Sequence, residues 1–270
     1  MAEGEASAIA FMLLEKVAGL SRLQVLTGDA DPPDTDRLAD MARRVAEGTP
    51  VQYVVGSCDF CGLTFYVEPS VLIPRPETEE LVDWVCSALP PQPAAPSILD
   101  VGTGSGCIAV SLAKRLSGAR VAASDISEDA LRVARRNAAA HHVSIDFVCH
   151  DILADPPAAL SPQSLPCFDV VVSNPPYICE EEARQMERNV LDHEPHLALF
   201  VPDQSPLLFY EAIARRALSL LRGGGSVFFE INRRFGAEVV SLLRCLGYTH
   251  VELRQDQFGN DRMIRAVTGC

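Results

Sequence analysis

The sequence contains no apolar run approaching the ~20 residues that a membrane-spanning helix requires. It also lacks a basic surplus: 23 Lys and Arg against 36 Asp and Glu give a net charge of −13. A protein that grips nucleic acid through its phosphates needs a basic face, so this balance argues against a DNA or RNA substrate. A second Cys-x-x-Cys pair is missing, and Cys58-x-x-Cys61 alone does not make a four-cysteine zinc site. That pair sits in GSCDFCGLTFYV, which alternates like a hairpin strand, whereas a redox motif would precede a helix. The opening MAEGEASAIAF has neither the basic start of a signal peptide nor the arginine-rich pattern of a transit peptide, so a cytoplasmic protein is expected. Internal repeats and low-complexity tracts are absent.

What remains is an ordinary globular composition, 48% hydrophobic and 22% charged over 270 residues. That length suits one large α/β domain with a small companion. Residues 1–50 read as short helices, with Gly19 as a C-cap, Asp34 or Thr35 as an N-cap after a Pro-Pro turn, and Gly48 as a stop. Such a unit is too small to stand alone and is expected to be a docking module. Residues 51–73 alternate around Gly56 and Gly62 and predict a β-hairpin linker. The main domain is expected over 74–270. Its first helix, PRPETEELVDWVCSAL, has Pro76 at the first helical position and Glu77, Glu79 and Glu80 at the positive end of the dipole. PPQPAAP, at 90–96, reads as a spacer. From Ser97 the pattern runs strand, helix, strand, helix, which predicts a doubly wound, mainly parallel α/β sheet. The last two strands are joined only by QFGN and must be antiparallel neighbours. Cys107, Cys149, Cys167 and Cys245 read as small buried hydrophobes.

The chain is organised around FDVVVSNPPY, 168–177. Four apolar residues, three of them β-branched, describe a strand buried on both faces. The strand runs into Asn174-Pro175-Pro176-Tyr177, where two prolines hold the chain extended and prevent a helix from starting. One amide, one carbonyl without a following N–H and one aromatic ring are thereby placed at the carboxyl end of a strand, the edge at which open α/β sheets bind ligands. A rigid turn with a packing tyrosine would read the same way.

DVGTGSG joins the first strand of the main domain to its helix. Gly102, Gly104 and Gly106 allow close backbone approach at a helix N-terminus, and Thr103 and Ser105 lie between them. The dinucleotide fingerprint needs glycine at 107, where Cys107 stands, so hydride transfer is disfavoured. Gly-x-Gly-x-Gly instead resembles the cofactor loop of class I methyltransferases that use S-adenosylmethionine (SAM). Asp125, at the end of the second strand, is placed to accept ribose hydroxyls, and Ser127 is free to cap the following helix. Asp151 or Ile152, after the third strand, falls where adenine would lie, although Asp151 also suits a turn.

Loop, acid and Asn-Pro-Pro-Tyr, in this order, resemble an amino-methyltransferase acting on planar nitrogen. The lone pair of an amide is delocalised, so such a site must orient the NH2 group. The Asn174 side-chain oxygen and the Pro175 carbonyl would each accept one N–H while Tyr177 packs on the plane, with no metal or covalent nucleophile needed. PVQYVVG, VLIPRPETEELV, ILDVGTGSGCIAV, VSNPPYI, EPHLALF and FGNDRMIRA together resemble the protein-glutamine N(5)-methyltransferases of peptide chain release factors. The resemblance implies a seven-stranded Rossmann-like domain behind a small helical one and a hairpin linker; a monomer is expected. The implied substrate is the glutamine of the Gly-Gly-Gln motif of class I release factors. The implied SAM contacts are Gly102 to Gly106, Asp125, Asp151 or Ile152, and Asn174. The implied glutamine contacts are Asn174, Pro175, Pro176 and Tyr177, with Arg75, Pro76 and Glu77 lining the pocket or simply starting their helix. Val201-Pro202 and FFEINRRFG depart from the family pattern in loops, and the helical region is short. The alternatives are a nucleic-acid amino-methyltransferase acting on adenine or guanine, and an inactive scaffold. His193-x-x-His196 matches no usual zinc spacing and reads as a structural loop. The acidic run Glu180 to Glu187 reads as a solvated helix face.

Overall fold

The computed structural model describes residues 3–27, 34–89, 95–155 and 167–269. Most of the spacer, at 90–94, and the Pro-Pro turn at 32–33 lie outside them.

The N-terminal helices are α1 (Glu3–Ala18), α2 (Arg22–Thr27), α3 (Thr35–Ala46) and α4 (Val51–Val55). Asp34 caps α3 by accepting the Arg37 N–H at 3.1 Å. Leu13, Met41, Val45 and Val54 form a small buried cluster between these helices. The expected hairpin is shorter than 51–73: β1 (Ser57–Phe60) pairs antiparallel with β2 (Leu63–Tyr66). Val51–Val55 forms a helix despite three β-branched residues. Pro50 starts it, Gly56 ends it in the left-handed region at φ +72°, and Tyr53 and Val54 are buried. Tertiary burial, with the Tyr53 hydroxyl donating to the Val71 carbonyl at 2.6 Å, overrides the strand propensity.

The main domain continues through α5 (Pro76–Ala88), β3 (Ser97–Val101), α6 (Cys107–Arg115), β4 (Arg120–Asp125), α7 (Glu128–Ala140), β5 (Ile145–Cys149) and β6 (Phe168–Ser173). After β6 come β7 (Ile178–Cys179), a 3₁₀ turn over Glu180–Gln185, α8 (Arg188–His193), α9 (His196–Leu199) and β8 (Phe200–Val201). The chain ends with α10 (Leu208–Leu220), β9 (Leu221–Glu230), α11 (Gly236–Cys245), β10 (Thr249–Gln255) and β11 (Asp261–Val267). The seven-stranded sheet has the order β10-β11-β9-β6-β3-β4-β5. β11 alone runs against its neighbours, and β10 and β11 pair antiparallel as the short QFGN connection requires. Among the described residues no helix is long and apolar enough to cross a membrane.

β6 lies at the centre. Val171 packs on one face of the sheet with Tyr210 and Ile213 of α10 and Val239 of α11. Val170 and Val172 pack on the other with Leu81 and Trp84 of α5 and Ile108 of α6. Strand order reverses between β3 and β6, so their carboxyl ends form the switch-point crevice of a doubly wound sheet. Asn137 of α7 ties the linker to this crevice. Its Oδ1 accepts the Tyr66 N–H at 2.8 Å, while its Nδ2 donates to the carbonyls of Tyr66 and Ser105. Cys107 is buried as expected, but Cys149, Cys167 and Cys245 are exposed. Cys149 ends the sheet's edge strand and Cys245 the last helix, where one side faces water.

Candidate active site

β3 and β6 are hydrogen-bonded neighbours, with Asp100 level with Val172. The glycine loop and the proline corner therefore leave the sheet side by side. The Ser173 hydroxyl donates to the Val101 carbonyl at 2.6 Å and fastens one to the other.

Beyond Ser173, Asn174, Pro175 and Tyr177 line a cavity of about 320 Å³ together with Arg75, Leu72, Ile178, Gln185, Met186, Glu187, Val190, Ala198 and Leu199. Among the residues expected to meet substrate, Pro176, Pro76 and Glu77 are not part of this lining. Arg75 is held at the cavity edge by Glu194, whose Oε1 lies 2.5 Å from its guanidinium. Glu194 is buried and its other oxygen accepts the Ile73 N–H at 3.1 Å, so the loop carrying His193 and His196 is docked on the linker. The two histidines bond backbone carbonyls, His193 that of Asn189 and His196 that of Leu191. The acidic run is not simply a solvated face, because Glu182 accepts the Cys179 N–H and the Asn232 amide at 2.9 Å each.

The corner rests on a buried polar chain that the sequence did not announce. Asn174 Nδ2 donates to Thr78 Oγ1 at 3.2 Å, and Thr78 Oγ1 donates to Glu230 Oε2 at 2.6 Å. The Tyr177 hydroxyl donates to Glu230 Oε1 at 3.0 Å, which fixes the ring. Burial pushes the Glu230 carboxyl up, and the Thr78 and Tyr177 hydroxyls and the charge of Arg262 pull it back. Burial, then the charge of Glu230, raises the Tyr177 phenol. Among the described residues neither Asn174 Oδ1 nor the Pro175 carbonyl accepts a hydrogen bond, so both are available as acceptors. The one available signal for Glu230 was an acid at the end of the apolar run SVFFEI.

The glycine loop is pinned to β4: the Gly102 and Thr103 N–H groups donate to the Ser124 carbonyl at 2.8 and 3.0 Å. Gly102, Gly104 and Gly106 all have positive φ. A Cβ at Gly102 or Gly104 would meet open space, which leaves that side of the backbone open to a ligand. A Cβ at Gly106 would stand 3.1 Å from the Cβ and 3.2 Å from the Cα of Ala134, so this glycine serves the approach of α6 to α7. Gly106→Ala is expected to cost about 2 kcal/mol or more of stability, from left-handed strain plus overpacking. Urea unfolding of the purified variant measures it.

Asp125 does not cap its helix; Ser127 does, accepting the Ala130 N–H at 3.2 Å. The Asp125 carboxylate instead accepts the N–H groups of Gly104 and Ser127 at 2.9 Å each, bracing the loop from the neighbouring strand end. Burial raises its pKa, and those amides oppose the shift. Thr103 and Ser105 have buried side chains, so what they offer a ligand is backbone. Asp151 Oδ1 accepts the Leu153 N–H at 2.9 Å as a turn residue, and Ile152 packs on the core beneath it.

Asp100 supplies the test of fit for the cofactor. Its Oδ2 accepts the Thr103 hydroxyl at 2.6 Å and the Ala109 N–H at 3.2 Å, while its buried Oδ1 has no partner. Burial raises its pKa to about 7, against the pull of Thr103 and Ala109. A carboxylate oxygen left unpaired at the foot of a glycine loop complements a cationic ligand bearing N–H donors. SAM has both a sulfonium and an ammonium group, so the residues present fit it.

A seven-stranded sheet of this order, a glycine loop and acid at adjacent strand ends, and a proline corner across the switch point define a class I methyltransferase. The comparisons agree. Residues 83–195 match the methyltransferase small domain family, and residues 2–56 match the PrmC N-terminal domain. The release factor glutamine methyltransferase of Bacteroides thetaiotaomicron is 46% identical over 85% of this chain and 80% of its own. That of Flavobacterium psychrophilum is 41% identical over 97% and 92%. A methyltransferase structure from Pyrococcus furiosus, 16% identical, shares the fold with a TM-score of 0.55 over 86% of this chain and all of its own. The chain belongs to the release factor glutamine methyltransferase family.

Proposed function

We propose that this protein transfers a methyl group from SAM to the side-chain amide nitrogen of the glutamine in the Gly-Gly-Gln motif of class I peptide chain release factors, in the cytoplasm. The observation that carries this reading is the pair of open acceptors, Asn174 Oδ1 and the Pro175 carbonyl, beside the glycine loop. Gly102 to Gly106, Asp100 and Asp125 would hold SAM, with Asp151 and Ile152 at the adenine end. When bound, SAM supplies an electrophilic methyl group on a sulfonium.

The protein's own contribution is orientation and charge. Two acceptors on a rigid corner hold two N–H bonds, which fixes the plane of the amide and leaves its weakly nucleophilic lone pair on one defined face. Tyr177, anchored by Glu230, presents a flat ring against that plane. As the nitrogen acquires positive charge its N–H bonds become stronger donors, so the same two oxygens bind the transition state better than the ground state. One N–H proton is then released to water, because neither oxygen is basic enough to keep it. A glutamate would bring oxygens to oxygens and is rejected.

Labelled methyl transfer tests the reading on three acceptors: a release factor, its Gln→Ala variant at the motif, and ribosomal RNA. Label on the native factor alone is expected; label on RNA alone would assign the site to a nucleobase amine instead.

A further inference from the structure

Glu230 has so far entered only as the anchor of the Tyr177 ring, and its burial asks for more. It closes an apolar strand, is 1% exposed, and has no ion-pair partner among the described residues. Arg262, whose charge acts on it, is bonded to Asp256. Each Glu230 oxygen accepts one hydroxyl, from Thr78 at 2.6 Å and from Tyr177 at 3.0 Å.

A threonine hydroxyl has one proton. With that proton directed to Glu230, only lone pairs remain on Thr78 Oγ1 for Asn174. The 3.2 Å bond between them must then run from Asn174 Nδ2 to Thr78 Oγ1. The two ends of an asparagine amide have nearly the same shape, so packing alone barely chooses between them. The hydrogen-bond chain does choose: Nδ2 is held inward and Oδ1 is left for the cavity. Turned over, the amide would present a donor to a substrate NH2 that is itself a donor.

We propose that Glu230 and Thr78 are positioning residues which lock the Asn174 amide with its oxygen toward the substrate, so that a buried carboxylate decides which atom the proline corner offers and thereby selects an N–H-bearing acceptor. This rests on the reading of Asn174 as the amide acceptor. The polarity passes through three side chains from three separate segments, α5, β9 and the corner after β6. Glu230 also steadies the Tyr177 ring, so the two groups expected to meet the amide share one anchor.

The test compares Thr78→Val, Thr78→Ser, Glu230→Gln and Asn174→Ala in full-length protein, with a release factor as acceptor. Three quantities are read: kcat, the KM for the factor, and the Kd for SAM by calorimetry. Valine keeps the shape of threonine but removes the hydroxyl. Thr78→Val is expected to lower kcat by about tenfold or more, because a freed amide samples the wrong orientation. The KM and the SAM Kd should stay within about threefold, since neither ligand has lost a direct contact. Serine restores the hydroxyl and should return kcat to within about threefold of native. Glu230→Gln has a single acceptor oxygen for two hydroxyls and should lose kcat as Thr78→Val does. It carries the test alone if the valine variant does not fold. Thr78→Val and Glu230→Gln combined should cost no more than the larger single loss, as expected for links of one chain.

If Asn174→Ala has lost activity while folded Thr78→Val or Glu230→Gln keeps kcat within about twofold of native, the positioning role is refuted and the acceptor role of Asn174 stands. A serine variant as slow as the valine variant also contradicts the hydroxyl's role. If Asn174→Ala itself keeps native kcat, the acceptor reading fails, and the inference with it.

Discussion

Replacing Asn174 by alanine is expected to reduce kcat by roughly 10²-fold, the scale on which a misplaced reacting group loses rate. The Kd for SAM should stay within about tenfold, because the glycine loop, Asp100 and Asp125 are untouched. The split follows from geometry. Asn174 Nδ2 is occupied by Thr78, and the residue lines the cavity from the corner beside the loop. Stopped-flow methyl transfer gives the first quantity and calorimetry the second. Equal losses in both would mean that Asn174 serves the cofactor and not the amide.

Asp100→Asn should make the protein more stable at pH 8 and weaker at holding SAM. Burial raises the Asp100 pKa in the folded state to about 7, while an unfolded aspartate titrates near 3.8. Between those values the folded state retains the proton and the unfolded state releases it, so stability falls as pH rises through this window. Above about pH 7 the full cost of a buried, half-paired carboxylate is present. Asparagine keeps one acceptor for Thr103 and Ala109 and removes the charge. The gain at pH 8 should be about 1–2 kcal/mol, limited by the N–H it leaves unpaired, and should shrink toward zero at pH 5. SAM affinity should drop by about tenfold, the usual exchange of stability for function at a strained site. Urea midpoints at the two pH values test this. A stability loss at both would make the carboxylate a structural element.

What the sequence disclosed was whatever is local. The proline corner, the glycine loop, the Pro76 helix start and the antiparallel pair around QFGN each lie within a few consecutive residues, and each has the expected form. The helix Val51–Val55 was misread because its β-branched composition says strand, and only the burial of Tyr53 and Val54 decides otherwise. The exposed Cys149 was misread because apolar neighbours do not reveal that a strand will lie at the sheet edge. Thr78, Glu230 and Glu194 were not singled out for their roles at all. Their partners are 96, 152 and 119 positions away, and no periodicity or motif spacing encodes such pairings. The local motifs were thus legible, while the distant partners of the corner appear only once the sheet brings the strand ends together.

The most direct measurement is the mass of the release-factor glutamine after exhaustive reaction with excess SAM. Two oxygens that together grip both N–H bonds of one NH2 group can act once, because the product retains a single N–H and sets a methyl against the second oxygen. A single added methyl per glutamine, with none on the Gln→Ala factor, is the expected result. Accumulation of dimethylated glutamine would contradict the two-acceptor corner.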